Sequence, residues 1–513
     1  MPQYLSPGVY VEEREAGSRP IEGVGTAVAA FVGIAADGPF HTPTLVTNWS
    51  QFTSTFGGFL EGSYLAHSVY AYFNNGGGSA YVVRVGRPAD GADAPVARAE
   101  LTAGGDKRLG AYRVRAVAAG AAGNGTTVEV TAPHEGQPED SFRLVIRQNG
   151  TEELFEGLTT ARKNRQNVVT VVNTQSKLIR LEEVSTAAQI EKLAPATVTL
   201  AGGDVVPVNA PIAADEYVGD SADRTGFAGL ETVDTVTMVC VPDLMAAYQA
   251  GALDAEQVKA VQLGMIAHCE LMGDRMAIID PPPGLNPQQI RTWRVDDAGY
   301  DSKYAAVYWP WVKSFDPVSG QNVPVPPSGH MAGIWARSDA TRGVHKAPAN
   351  EVVRGAVDIE TRITKAEHDL LNPVGVNCIR AFPGRGIRVW GARTLSSDPA
   401  WRYINVRRLF NYVEASILGG TQWVVFEPND HELWGRMIRT INGFLYRVWS
   451  DGALFGENAQ QAFYVKCDDE TNPSESIEAG QVVCEIGIAP VKPAEFVVFR
   501  LAQLPTGSAA LSE

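Results

Sequence analysis

Two carboxylates stand where an α/β protein gathers reactive groups. Asp243 follows a stretch, Thr235 to Val241, that reads as a strand, and Asp280 ends a second, Met276 to Asp280. Ligands of open α/β sheets collect beyond the carboxyl ends of strands, so this pair is the candidate centre of a metal-dependent hydrolase. The neighbouring residues point to a plainer use, because Val241-Pro242-Asp243 and Asp280-Pro281-Pro282-Pro283 are turn-forming runs. There is no phosphate loop of the G-x-x-x-x-G-K-S/T type, no H-E-x-x-H helix and no G-x-S-x-G elbow, and the eight histidines are scattered without ligand spacing. Gly384-Arg385-Gly386 and the run from Arg337 to Gly343 set arginine near glycine, but without the spacing that lines up backbone amides before a helix. The five cysteines, Cys240, Cys269, Cys378, Cys467 and Cys484, include no C-x-x-C pair and read as buried free thiols. The expectation is a protein with no catalytic residue, metal or cofactor.

The elements that must position these residues follow from length and pattern. At 513 residues the chain exceeds what one hydrophobic core supports, so two to four domains are expected. Apolar residues at 45% and charged residues at 20% match ordinary globular usage. A net charge of −15 disfavours coating a nucleic acid, which needs surplus Lys and Arg. The first residues lack a basic patch followed by an apolar run, and no stretch reaches the roughly 18 apolar residues that span a bilayer. Cytosolic synthesis without membrane insertion is therefore expected, and the triplets at Asn48, Asn124 and Asn149 are chance matches to a glycosylation signal.

Along the chain, Ala27 to Ala35 reads as a buried strand, Ser63 to Asn75 as a helix and Ser79 to Val85 as a strand. A Gly/Pro/Ala/Asp stretch from 86 to 95 then leads into short β runs, with Asn149-Gly150 marking a hairpin. After a second linker, 201 to 216, the α/β style returns, with a helix from Asp254 to Met272. The fold class expected is α/β and α+β multidomain. Its parts are an arm (1–23), an α/β middle domain (24–88 plus 217–365), an inserted β-rich outer domain (96–205) and a C-terminal α+β inner domain (366–513). In the last, Leu433, Trp434, Met437, Ile438, Ile441, Phe444, Leu445, Val448 and Trp449 are expected to form a helical stripe, and a strand is expected around Val424.

Several motifs resemble the contractile tail sheath proteins of phages, R-type bacteriocins and extracellular contractile injection systems. They are Tyr4 to Glu13 with Ala30-Phe31-Val32-Gly33, Asn372 to Asn377, Ile387 to Leu395, Val425 to Asn429 and Phe463 to Asp468. Each is short, but their order and spacing together are specific. The resemblance implies a structural sheath subunit that polymerises as a helical sleeve, in stacked hexameric rings, around an inner tube protein, and contracts to drive that tube into a target envelope. It also implies baseplate and tail-terminator or cap proteins as partners, and a place in a phage virion or a released contractile particle. The rival readings are the hydrolase built on Asp243 and Asp280, and an adhesin or carbohydrate-binding protein using the β-rich insertion.

Two residue sets could serve a sheath. Gly8, Val9, Tyr10, Val11 and Glu12 form a strand ahead of the first globular unit, with Glu15 to Gly25 as a flexible tether. Glu495, Phe496, Val497, Val498 and Phe499 form another, behind Pro490-Val491-Lys492-Pro493, whose prolines donate no ladder hydrogen bonds. The resemblance implies that these terminal strands are exchanged between subunits to complete a shared sheet. The second set is basic: Arg402, Arg407, Arg408, Arg436, Arg439 and Arg447 are candidates for inner-tube contact, while Asp451 to Glu485 is acidic.

Overall fold

The computed structural model describes residues 20–86, 98–101, 112–117, 123–134, 137–138, 140–148, 151–183, 190, 192–200 and 212–499. Its largest sheet has eight strands: β1 (Val28–Gly33), β2 (Thr44–Val46), β3 (Ser79–Arg84), β4 (Met238–Cys240), β5 (Met276–Ile279), β6 (Ala305–Trp309), β7 (Val376–Phe382) and β8 (Gly386–Val389). Their order across the sheet is β8-β7-β6-β5-β4-β1-β3-β2. The six inner strands run parallel, and β8 and β2 close the two edges antiparallel. A parallel sheet covered on both faces needs continuous apolar strands rather than alternating ones. Ala305-Ala306-Val307-Tyr308-Trp309 and Met238-Val239-Cys240 meet that need, and every residue of both is buried. Successive residues feed opposite faces: Val32, Val239 and Val307 enter one core, and Phe31, Met238 and Tyr308 the other.

This sheet corrects one expected boundary. Val307 pairs with Val376 and Trp309 with Cys378, so β7 and its hairpin partner β8 extend the α/β sheet well beyond residue 365. The parallel ladder along β6 needs a partner on its open side, and β7 provides it.

The five longest helices among the described residues are α1 (Leu65–Asn75), α2 (Ala255–Met272), α3 (Ser328–Arg342), α4 (Ile404–Gly420) and α5 (His431–Ser450). The Asp254 side chain accepts from the Gln257 amide at 2.8 Å and starts α2, which stops at Gly273 in the left-handed region. α1 and α3 approach closely because Gly329 and Gly333 share a face one turn apart. A Cβ on Gly333 would lie 2.5 Å from the Tyr72 carbonyl oxygen, and one on Gly329 would lie 2.4 Å from the Ser68 backbone.

The residues between 98 and 200 make sheets of their own. One joins Arg98–Leu101, Tyr112–Ala116 and Ile179–Glu183, and the other Ala196–Thr199, Thr127–Thr131, Phe142–Gln148 and Thr151–Leu158. The hairpin expected at Asn149-Gly150 is present, pairing Gln148 with Thr151. Val114, Val128, Leu144, Ile146 and Val172 fill a core separate from that of the large sheet.

In the last part of the chain, α4 and α5 pack through Leu409, Val413, Ile441, Phe444, Leu445 and Val448. Asp430 caps α5, accepting from the Leu433 amide at 2.8 Å. The strand expected around Val424 is instead a single 3₁₀ turn, Gln422–Val424. Beside α5 lies a two-stranded antiparallel sheet of β9 (Phe463–Lys466) and β10 (Glu485–Ile488). Among the described residues, no helix is long and apolar enough to cross a membrane.

Candidate functional site

The β9–β10 sheet is two-faced. Phe463, Val465, Ile486 and Ile488 pack against the α4–α5 core. On the other face Tyr464, opposite Gly487 in the register, lays its ring over that glycine, where an added Cβ would sit 2.1 Å from the ring. Among the described residues neither strand has a second ladder partner, apart from an isolated bridge between Leu454 and Pro490 just past the end of β10. A two-stranded sheet with open edges is marginal by itself and presents backbone groups to any additional strand.

The chain leaves β10 on a fixed path. The Val491 amide donates to the Ala453 carbonyl at 3.2 Å, and the Val491 carbonyl accepts from Asn405 Nδ2 at 3.1 Å. Glu495 then enters a polar pocket, where its carboxylate accepts from Arg393 Nε at 2.9 Å, Arg393 Nη2 at 2.7 Å, Asn372 Nδ2 at 2.7 Å and the Tyr403 hydroxyl at 2.9 Å. Burial acts to raise its pKa, but these donors and the guanidinium charge outweigh it and hold the carboxyl below the ordinary glutamate value. Immediately beyond, Phe496, Val497, Val498 and Phe499 are 73%, 69%, 77% and 85% exposed and form no strand. Single exposed apolar residues are ordinary, whereas four large ones in succession are not. Glu495, expected to exchange with its neighbours, is therefore an internal anchor. Gly8, Val9, Tyr10, Val11 and Glu12 lie outside the described residues.

The segment leading into β1 also departs from expectation. Residues 20–25 are pinned rather than free: Ile21 is buried between α4 and α5, and its carbonyl accepts from Arg447. The Val24 amide donates to Ser416 Oγ at 3.1 Å, and Thr26 Oγ1 donates to Asp339 at 2.6 Å. This strap ties the α4–α5 unit to the large sheet, and the rest of the expected tether, Glu15 to Arg19, lies outside the described residues. Ile21 and Val24, the two large apolar side chains between Glu15 and Gly25, are the signal of this docking in the sequence.

The six arginines divide. Arg407 and Arg408 are only 2% and 4% exposed and are used inside the protomer. Arg407 bonds Asn411 at 2.6 Å and Glu414 at 3.1 Å, and stacks on Tyr304, Trp401 and Phe410. Arg408 forms a two-pronged pair with Asp339 at 2.8 and 2.6 Å, donates to the Thr26 carbonyl at 2.9 Å and lies over Trp335. Both leave the list of surface contacts, because a buried guanidinium must be satisfied internally. Arg447 holds Ile21. Arg436 pairs with Glu427 at 2.6 Å and covers Trp423, Arg402 is half-buried, and Arg439 is exposed.

Asp243 and Asp280 are buried helix anchors. Asp243 accepts from the amides of Ile34 at 2.5 Å and Leu65 at 3.1 Å, from that of Tyr64, and from Ser63 Oγ at 3.0 Å, holding the start of α1. Asp280 accepts from the Ser328 amide at 2.9 Å at the start of α3. Burial pushes their pKa values up to about 6 and about 7. Among the described residues no cluster of three or more His, Cys, Asp or Glu is placed to hold a metal. Gly384 and Arg385 lie in the β7–β8 turn and Gly386 opens β8, and Arg337 lies in α3 and donates to the Asn75 carbonyl at 2.8 Å, so neither arginine run makes a phosphate cradle.

The model of the phage tail sheath protein central domain matches residues 228–395, and that of the phage tail sheath C-terminal domain matches residues 396–503; together they span more than half the chain. The tail sheath protein of Burkholderia phage BcepMu is 25% identical, over 96% of this chain and 95% of its own. Among solved structures, a chain of the anti-feeding prophage baseplate superposes with a TM-score of 0.59 at 24% identity, covering 98% of this chain and 100% of that one. The sheath complex of the extracellular contractile injection system PVC, in its contracted state, gives a TM-score of 0.58 at 24% identity, covering 98% and 99%. The chain belongs to the phage tail sheath family of contractile systems and is a structural sheath subunit rather than an enzyme.

Proposed function

We propose that this subunit polymerises by strand exchange into a helical sleeve around an inner tube, and that the sleeve contracts to drive the tube into a target envelope. The single observation that carries the reading is the exposed Phe496–Phe499 segment, launched from the Glu495 anchor close to a sheet with open edges. Added to a neighbour's β9–β10 sheet, such a segment gains several main-chain hydrogen bonds, each worth about 0.5–1.5 kcal/mol net, and loses its apolar exposure. The arm Gly8–Glu12 is assigned the matching role at the other terminus. Contraction then needs no nucleotide chemistry, since the free energy lies in better-packed contacts between subunits of a metastable extended sleeve.

The domain assignment that fits is an α/β part built on the eight-stranded sheet, reaching to about residue 395, a β-rich insertion between 96 and 205, and an inner part from 396 that faces the tube. Arg439 and Arg447, with Arg402 and Arg436, are the remaining set for tube contact. Baseplate and terminator proteins at the sleeve ends, and assembly in a bacterial cytoplasm, complete the proposal. The test is a pair of truncations, one removing residues 1–16 and one removing residues 496–513. Each should leave a soluble protomer with unchanged circular dichroism that forms no tubes under negative stain. Tubes of normal length from both would overturn strand exchange.

A further inference from the structure

Cys467 and Cys484 lie 17 residues apart in sequence and opposite one another in space. The β9–β10 register pairs Lys466 with Glu485, so the next step along both strands brings Cys467 against Cys484. The hydrogen-bonding phase of the ladder is also set. Ala489 donates its amide to the Ala462 carbonyl at 2.8 Å, which makes that pair a hydrogen-bonded one. Pairs alternate along an antiparallel ladder, so 463/488, 465/486 and 467/484 are the non-hydrogen-bonded pairs. Such pairs bring Cα atoms to about 4.5 Å, within the roughly 4.4–6.8 Å that a disulfide spans.

The side chains agree with the backbone. Both cysteines project to the inner face of the sheet, Cys467 in a small core with Leu433, Trp434 and Met437, and Cys484 packed against it. Burial pushes both thiols up, and each acts on the other, Cys484 lowering the pKa of Cys467 and Cys467 raising that of Cys484. Asn472 Nδ2 donates to the Cys467 sulfur at 3.6 Å, while its amide group accepts from the Val483 N–H at 2.6 Å and donates to the Val483 carbonyl at 2.9 Å. The turn after β9 is thereby held against the strand that carries Cys484. Both thiols are free, Cys467 buried and Cys484 partly exposed.

We propose that Cys467 and Cys484 are a redox-closing pair, which forms an intrachain disulfide across the β9–β10 sheet when the surrounding thiol pool becomes oxidised. With oxidised glutathione as oxidant, the partly exposed Cys484 attacks the glutathione disulfide through its thiolate, a minor form at neutral pH because burial pushes the thiol up to about 12, forming a mixed disulfide and releasing one glutathione thiolate. The Cys467 sulfur then attacks the Cys484 sulfur and displaces the second. Two cysteine thiols lose two electrons and two protons, and one glutathione disulfide becomes two glutathione thiols. The pair stays reduced in a reducing cytosol and closes outside it. The bond itself stands on this sheet's geometry. Its consequence, a covalent lock on the sheet that accepts neighbouring strands, rests on the function proposed above.

The experiment uses the full chain, purified reduced, exposed under native conditions to oxidised glutathione, alkylated and mapped by mass spectrometry. Free thiols should fall from five to three, with the chain two hydrogens lighter and the Cys467 and Cys484 peptides linked. Cys484→Ser should keep its four remaining thiols free, and Cys467→Ser should carry a glutathione on Cys484 that nothing displaces. Retention of all five thiols, while a urea-unfolded control oxidises, overturns the proposal, and so does a link to another cysteine or between chains. Assembled tubes in the disulfide form should dissociate at a higher urea concentration than reduced tubes. A bond that forms without that shift removes the locking role alone, whereas failure of strand exchange is read separately, from the truncations.

Discussion

The Glu495 carboxylate and the Arg393 guanidinium, separated by 102 residues, meet as a parallel two-bond pair at 2.9 and 2.7 Å. Arg393 is itself tied to β7, because its amide donates to Asn377 Oδ1 at 2.7 Å. The exposed C-terminal segment is thus fixed to the large sheet at one residue, and its direction of departure is set before any neighbour arrives.

Glu495→Ala should cost about 2 kcal/mol, because it leaves a largely buried guanidinium and the Asn372 amide without their acceptor. Urea denaturation measures the loss, and limited proteolysis should show earlier cleavage after residue 490. The folded pKa of Glu495 lies below its unfolded value. Its contribution is therefore fully present above the unfolded pKa and disappears as pH falls through the folded one, so the difference between wild type and Glu495→Ala should shrink in acid below about pH 4. A difference that persists undiminished at low pH would contradict the anchor.

Arg408→Ala should be severely destabilising, by about 3–5 kcal/mol, since Asp339 would be left charged and buried. Replacing both partners, Arg408→Met with Asp339→Leu, should recover much of that loss. Chemical denaturation of the two single variants and the double variant gives the coupling.

Asp280→Asn should be tolerated, and at pH 8 should stabilise the fold by on the order of 1 kcal/mol or more, because a buried carboxyl raised to about 7 is held ionised there at a cost. The sign follows from linkage. Between the unfolded value near 4 and the folded value, the native state binds more protons, so this carboxyl's contribution to stability falls as pH rises through that window. The variant should flatten that slope in thermal melts from pH 4 to pH 8.

Gly333→Ala should cost about 1–3 kcal/mol, as its Cβ would press on the Tyr72 carbonyl and force α3 away from α1. A melting temperature equal to wild type would show that the two helices can separate without loss.

Arg439→Glu should leave protomer stability within about 0.5 kcal/mol, since the residue is exposed, yet weaken co-assembly with the inner tube. Co-sedimentation of tube and sheath measures the second effect, and unchanged co-sedimentation would remove Arg439 from the tube surface. Arg436 is a poorer probe, because reversing it also breaks the pair with Glu427.

Local pattern settled much of this protein. The apolar runs at Val28–Gly33 and Ala305–Trp309, the cap at Asp254 and the stripe from Leu433 to Val448 each carry their own signal within a few residues, since backbone geometry and side-chain period are local properties. What pattern could not supply was the partner of each charge. Arg407 and Arg408 look in sequence like neighbours of Arg436 and Arg439 on a basic surface. Only the packing of α4 turned them inward, Arg408 onto Asp339 and Trp335 and Arg407 onto Tyr304 and Trp401. The same holds for Glu495, for Ile21, for β7 in the large sheet and for Cys467 beside Cys484. In each case the deciding contact lies far along the chain, and its energy depends on a geometry that exists only once the whole fold is closed.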